Sequence, residues 1–316
     1  MKRVKRLGRG LEDFSHLFLS SKSEKSEHST GGTHDAVSEP EGARILPRVI
    51  CITSDRRVGE RAFLTVNLAC ELAERGKRVL VFDADFSLPR LCMLMDIPAH
   101  GSMLQFITKN GKEEVIAGGK EELKLITLDV DISDLRSLGE HERSTLIQCF
   151  RRAEEESDIM LINASPGFIH HMRAILKAVA EVIVVTPQQV AEMINAYGVI
   201  KFIFQVNADA QVGIVSSRIA NPPQAEVVFE KMQRIVKRFL DKPLSHLGYI
   251  PEDEEIGLSM VRRKPLSHTS PSSGTVRCIT EISHSILKMN EGGNGHPRYG
   301  ENHGSFAERL FNKSPL

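Results

Sequence analysis

The 316-residue chain has no apolar run of about 18 residues, the length a helix needs to cross a bilayer, so no membrane-spanning helix is expected. It has no CxxC pair. Its five cysteines, Cys51, Cys70, Cys92, Cys149 and Cys278, are odd in number, scattered and mostly set in apolar runs. That pattern reads as reduced core thiols of a cytosolic protein and speaks against a zinc site or a cysteine-held cluster. No G-x-S-x-G elbow occurs, so a hydrolase triad has no support. His170 and His171 are adjacent, which makes a poor chelate on a helix, and no metal site is expected. Net charge is also absent: 41 Lys and Arg face 41 Asp and Glu. Bulk electrostatics therefore predict neither a nucleic-acid coat nor an acidic substrate. The basic start, MKRVKRLGRG, leads into acidic and polar residues and is not read as a secretory signal.

With 41% hydrophobic residues the chain can bury a sizeable core. Residues 21–44 are Ser, Glu, Gly and His with almost nothing apolar, and are expected to form a disordered linker. Before it, residues 1–20 combine a basic cluster with an apolar island. Leu11, Phe14, Leu17 and Phe18 there fall at helical spacing, as an interaction motif would. From residue 45 to 289, short aliphatic runs alternate with longer segments of helical period. The runs are RVICIT (48–53), RVLVFD (78–83), LKLITL (123–128), IMLIN (159–163), EVIVVT (181–186), VGIVSS (212–217) and HLGYI (246–250). Leu64, Leu68 and Leu72 repeat every four residues, and Gly76 is a helix stop. Continuous apolar strands joined by helices imply an α/β domain with a mostly parallel sheet covered on both faces. Residues 290–304 are Gly-rich and read as a tether. Residues 305–316 carry a second apolar island at Phe306, Leu310 and Phe311.

Ligands of an open α/β sheet bind at the carboxyl ends of its strands. There the first strand runs into Thr53-Ser54-Asp55-Arg56-Arg57-Val58-Gly59-Glu60-Arg61, followed by a V-N-L-A helix. This segment resembles the deviant Walker A region of the MinD/ParA ATPases, S-G-K-G-G-V-G-K-T-T. RGKRVLVFDADFSLPRL is similar to the family strand ending in D-x-D, and SDIMLINASPGF to its Walker B strand. VIVVTPQQVAEMINAYGVIK and FLDKPLSHLGYIPEDEEIGLSMVRRKPL match its T-P-E-P…D-A-Y and closing L-G-x-I-P segments. Within the family the chain is most similar to the flagellar-number regulators FlhG and FleN. The resemblance implies a P-loop NTPase-like fold of the SIMIBI type, as a single domain with flexible tails.

The departures from the pattern fall on the phosphate chemistry. The family's signature Lys is Asp55 here, its two glycines are Arg56 and Arg57, its phosphate-cradling Lys is Glu60 and its Mg-binding Thr is Arg61. The Walker B Asp is Asn163, and the adenine-reading Asn is Ser217, followed by Arg218. Gly59, Asp83, Asp85 and Gly167 survive, and Asp85 would be catalytic if activity remained. Phosphate loops work through a concave nest of backbone N–H groups that glycine makes accessible. Arg at both glycine positions adds strain where φ is positive. One charge pair at about 4 Å and an effective dielectric of about 20 is worth about 4 kcal/mol. Exchanging the Lys for Glu60 therefore swings the balance by up to about 8 kcal/mol against triphosphate, which matches a micromolar affinity. No cofactor is expected, with ATP and Mg²⁺ weak at most. The loop is read as zipped shut by pairing of Asp55 and Glu60 with Arg56, Arg57 and Arg61. The rival is that the arginines grip phosphate themselves. One or both of Asp83 and Asp85 are read as pairing with loop arginines.

The C-terminal segment from Ser305 to Lys313 is similar to the MinD membrane-targeting tail, G-F-L-K-R-L-F. It can lie in a bilayer interface, dock on its own domain, or bind a partner. The N-terminal island resembles in position the FlhG segment that contacts a partner GTPase, which points to a FlhF-like GTPase or an active family relative as partner. Together these imply a non-catalytic MinD/FlhG-like scaffold or regulator in placing a bacterial surface structure such as the flagellum. It would be cytoplasmic or peripheral on the inner face of the cell membrane, and a homodimer would supply a second tail. The alternatives are a divergent active ATPase cycling between cytosol and membrane, and a ParA-like DNA partition factor. The last needs a basic surface that the sequence does not display.

Overall fold

The computed structural model describes residues 46–55, 58–85, 90–97, 116–118, 122–127, 138–167, 169–289 and 304–311. The island at Leu11, Phe14, Leu17 and Phe18, the 21–44 linker, most of the 290–304 tether, and Arg56 and Arg57 lie outside them, as does the side chain of Val58.

All seven expected strands are present, and an eighth joins them. They are β1 (Arg48–Ser54), β2 (Val79–Ala84), β3 (Ile116–Gly118), β4 (Leu123–Thr127), β5 (Ile159–Ala164), β6 (Glu181–Pro187), β7 (Gln211–Ile219) and β8 (Ser245–Pro251). They form one sheet in the order β3-β4-β2-β5-β1-β6-β7-β8. Seven strands run parallel, and only β3 pairs antiparallel, at the β4 edge. The described helices are α1 (Val58–Glu74), α2 (Arg90–Leu94), α3 (Glu140–Glu155), α4 (Ile169–Ala178), α5 (Val190–Val206), α6 (Pro222–Leu240), α7 (Glu254–Arg262), α8 (Leu266–Thr269), α9 (Gly274–Met289) and α10 (Phe306–Phe311).

β1, β2, β5 and β6 are central, so both of their faces are buried and their sequences are apolar without alternation. Ile50 and Ile52 of β1 face α1 and α9, while Cys51 faces the layer of α3 to α6. The four-residue repeat of Leu64, Leu68 and Leu72 lies fully buried along α1. That helix ends at Glu74, and Gly76 takes φ 74°, the left-handed geometry glycine adopts without strain. Among the described residues, no helix is long and apolar enough to cross a membrane.

The C-terminal island departs from its reading as a separate tail. Helix α10 packs into the core against α3 and α4, with Phe306, Ala307, Leu310 and Phe311 almost fully buried. Phe150 joins Phe82 and Phe311 edge-to-face, each at 5.3 Å, and Phe306 meets Phe82 at 6.0 Å. Burial of three such side chains is worth about 1.5–3 kcal/mol each. The first turn is held twice. Ser305 and Glu308 form a capping box, with Glu308 N–H donating to Ser305 Oγ and Ser305 N–H donating to Glu308 Oε2. From the partner helix, Glu154 accepts the N–H groups of Phe306 at 3.0 Å and Ala307 at 2.9 Å. Of the three readings of this segment, the geometry described is docking on its own domain, and the apolar face a bilayer would need is covered.

Candidate functional site

Strand order reverses about β1, which pairs with β5 on one side and β6 on the other. The turn after β1 and the first turn of α1 therefore stand over the carboxyl edge of the sheet, the position at which open α/β sheets bind ligands. The strands around it carry the candidate residues there: Asp83 on β2 and Asp85 just after it, Asn163 on β5, and Ser217 and Arg218 on β7.

Arg61 enters this cluster from α1 with none of its surface exposed. Its Nη2 donates to Asp85 Oδ2 at 2.6 Å and its Nε to Asn163 Oδ1 at 2.7 Å. Asn163 passes the polarity on, donating from Nδ2 to Asp83 Oδ1 at 2.7 Å. Asp83 also accepts the N–H groups of Asp85 and Leu91, each at 3.3 Å. The sequence Arg61–Asn163–Asp83 is thus a continuous chain of hydrogen bonds, with Asp85 as the counter-charge of the guanidinium. A buried guanidinium is costly unless paired. Burial pulls the Arg61 pKa below its ordinary value, against the opposing pull of Asp85 and Asp83. Arg61 Nη1 is buried with no hydrogen-bond partner among the described residues. Asp83 is pushed up to about 6, chiefly by burial, with the Asn163 and backbone donors holding it down.

Glu60, one residue earlier, turns the other way. Its Oε1 accepts from Arg218 Nε and its Oε2 from the Ser217 hydroxyl, each at 2.5 Å. Arg218 sits at φ 55°, a conformation that costs a residue with Cβ roughly 1 kcal/mol or more. Gln188 Nε2 holds the Arg218 carbonyl oxygen at 3.0 Å, and Glu192 lies 3.9 Å from its Nη1. A bonded cluster thus occupies the rim between α1, β6 and β7.

Of the loop arginines expected to pair with Asp55 and Glu60, Arg56 and Arg57 lie outside the described residues. Among the described residues, Glu60 pairs with Arg218 and Arg61 pairs with Asp85 across the strand ends. The two partners, the donor Arg218 and the acceptor Asp85, come from other strand ends, where sequence spacing gives no register. The expected ion pair between an aspartate of the D-x-D turn and a loop arginine is present, at Asp85. Asp55 is buried, Gly59 opens the second residue of α1, and Gly167 is exposed on the turn after β5. Among the described residues, no three His, Cys, Asp or Glu side chains converge as a metal-holding group.

A family model described as ParA, the NUBPL iron-transfer P-loop NTPase, matches residues 47–287. The chain belongs to the ParA family of P-loop NTPases. Among its relatives, the antiactivator FleN of Pseudomonas aeruginosa is 22% identical over 227 residues, covering 72% of this chain and 81% of that protein. The flagellum site-determining protein YlxH of Helicobacter pylori is 24% identical over 267 residues, covering 84% and 90%. The crystal structure of the cell-division ATPase MinD of Pyrococcus furiosus superposes with a TM-score of 0.59 at 20% identity, covering 77% of this chain and all of that one. At that identity the likeness establishes a shared ParA/MinD fold. On this ParA-family scaffold, Arg61 stands on the helix that follows the phosphate loop in the resemblance, and its guanidinium lies against the D-x-D carboxylate.

Proposed function

We propose that this ParA-family chain is a FleN/YlxH-like regulator of flagellar placement or number that works without nucleotide hydrolysis. The relatives named above, with their flagellar roles, support the first half of the reading. The second half is carried by one observation: the Arg61 guanidinium is fully buried between Asp85 and Asn163. A cation is thereby built into the protein where the family's carboxylates would face Mg²⁺. A divalent ion at the same carboxylates would be placed against that fixed positive charge, at a cost that rises steeply in a buried setting. Glu60 adds a carboxylate at the first turn of α1, where a phosphate would otherwise meet free N–H groups, and its pairing with Ser217 and Arg218 closes the rim. The residues present therefore do not fit Mg·ATP in the family manner, and no hydrolytic step is assigned to them. What remains is a rigid α/β body that presents helix surfaces to other proteins. MinD, a fold relative, has been solved in a MinC:MinD complex, and a protein partner suits this chain in the same way.

The retained Asp83, Asp85 and Gly167 favour the rival reading, a divergent ATPase. Phosphate release by the purified full chain separates the two. Turnover no greater than that of Asp85→Ala supports the regulator, and turnover abolished by Asp85→Ala establishes the enzyme. The flagellar half is tested by deleting the gene and counting flagella per cell and their positions. Unchanged number and placement would overturn it.

A further inference from the structure

Helix α7 is held firmly on its inner side and left bare on its outer one. Asp253 caps it, accepting the Glu255 N–H at 2.9 Å. Ser259 is buried, and its hydroxyl donates to the Ile256 carbonyl at 2.8 Å. Met260 packs over the first turn of α1, where a Cβ built on Gly59 would stand 3.4 Å from Met260 Cε. The helix closes on two backbone bonds, from Arg263 N–H to the Met260 carbonyl at 3.3 Å and from Lys264 N–H to the Ser259 carbonyl at 3.2 Å. Just beyond, the Leu266 N–H donates to Asn67 Oδ1 on α1 at 2.7 Å. The turn between the two helices is thus pinned on both sides.

That rigid frame presents apolar and cationic side chains together. Leu258 and Val261, three apart, share the outer face; Leu258 is 42% exposed and Val261 80%. Val261 leads directly into Arg262, Arg263 and Lys264, all exposed. None of these three makes an ion pair or a side-chain hydrogen bond among the described residues. Arg263 also sits at φ 56°, a left-handed geometry that glycine takes without strain and a residue with a Cβ does not. Arg218 and Asp241 take the same geometry, and they are paired, with Glu60 and Lys237. The acids of α7, Glu254 and Glu255, stand in its first turn at the other end, where Glu255 accepts the Ser270 hydroxyl at 2.8 Å.

These features select among occupants. The surface is a helix end standing clear of its neighbours, not a groove: a Cβ built on Gly257 would meet nothing within 4 Å. A stable protein partner needs about 800 Å² of surface to cover, which two apolar side chains do not supply. A nucleic-acid duplex would use the cations and leave Leu258 and Val261 without a purpose. An anionic lipid surface uses both, because short apolar side chains reach the acyl boundary while Arg and Lys stay at the level of the phosphates.

We propose that the C-terminal end of α7 is a contact site for an anionic phospholipid surface. Leu258 and Val261 enter the interface, and Arg262, Arg263 and Lys264 meet lipid phosphates. The helix meets the surface obliquely, carboxyl end first, which keeps Glu254 clear of it. Two apolar side chains and three cations make a weak and reversible contact. It requires neither release of α10 from the core nor a nucleotide, and it stands apart from the flagellar and hydrolytic readings.

The test is flotation of the purified full-length chain with phosphatidylcholine vesicles and with vesicles that also contain phosphatidylglycerol. Binding is expected only with the anionic lipid and is expected to weaken as salt is raised. One cation near such a surface is worth about fivefold in affinity. Arg262→Glu/Arg263→Glu is therefore expected to weaken binding at least about tenfold, and Val261→Asp to weaken it several-fold. Lys231→Glu/Arg234→Glu, the same change of charge on α6, is expected to alter it by no more than about twofold. An environment-sensitive dye on Val261→Cys, in a Cys149→Ser background that leaves only buried cysteines, is expected to shift its emission to the blue on the anionic vesicles. Circular dichroism checks that each variant folds. Failure to bind phosphatidylglycerol vesicles overturns the proposal, as does binding that the α7 variants leave unchanged or a dye that keeps its aqueous emission. So does duplex-DNA binding that depends on the same arginines while vesicle binding does not.

Discussion

Replacing Arg61 with Met removes the guanidinium and keeps most of the side-chain length. Asp85 loses its ion-pair partner and Asn163 Oδ1 loses a donor at 2.7 Å. Breaking one side of a buried pair costs about 3–5 kcal/mol. The change also relieves the burial of Arg61 itself, which already depresses its pKa, so the lower end applies. A loss of about 3 kcal/mol lowers the melting temperature by roughly 6–12 °C in a domain of this size. Urea unfolding of wild type, Arg61→Met, Asp85→Asn and the double variant measures the coupling directly. The double variant is expected to be less destabilised than the sum of the singles. Mg²⁺ at about 10 mM is expected to restabilise Arg61→Met, whose carboxylates are uncovered, and to leave wild type unaffected, because only a species that binds the ion gains from it. Equal stability of Arg61→Met and wild type, or strict additivity, would refute the built-in cation.

Three further outcomes are expected. Glu154 is pushed up to about 7, first by burial, with the Ala307 and Phe306 N–H groups and Arg309 opposing. An acid whose folded pKa lies above its ordinary 4.5 gives stability that is complete below pH 4.5 and lost as pH rises through 7. That loss is about 3 kcal/mol, and Glu154→Gln should flatten the slope of urea-derived stability across this window. Phe311→Ala should cost about 3–5 kcal/mol, because the ring packs on Phe150 inside the core; thermal unfolding measures it, and a loss under about 1 kcal/mol would mean α10 is not docked in solution. Gly213→Ala should destabilise by about 1–3 kcal/mol, since its Cβ would fall 2.3 Å from Leu247 Cδ1; chemical unfolding reads this, and a neutral effect would count against the β7–β8 packing.

The sheet was legible in the sequence because strands buried on both faces must be apolar throughout, and seven runs announced themselves in that way. β3 did not, since Ile116–Gly118 is three residues long at an edge. The turn after β1 was legible as the place of interest through its V-N-L-A helix and the D-x-D strand. Its pairing was not: Glu60 and Ser217 are 157 positions apart, and only the β1-β6-β7 order brings them together. The C-terminal island illustrates a different blindness. Phe306, Leu310 and Phe311 have the same spacing whether they meet a bilayer or a protein core. The receptor that decides the matter, Glu154, sits in an EEES run that reads as solvated. A signal was available in Ser305 and Glu308, whose capping-box spacing marks a true helix start.

Calorimetric titration of the purified full-length chain with ATP, with and without Mg²⁺, tests the central claim most directly. Under the proposed reading, in which Arg61 takes the metal position, the chain is predicted to bind ATP no more tightly than about millimolar, with no gain from Mg²⁺. Micromolar binding that depends on Mg²⁺ would contradict it.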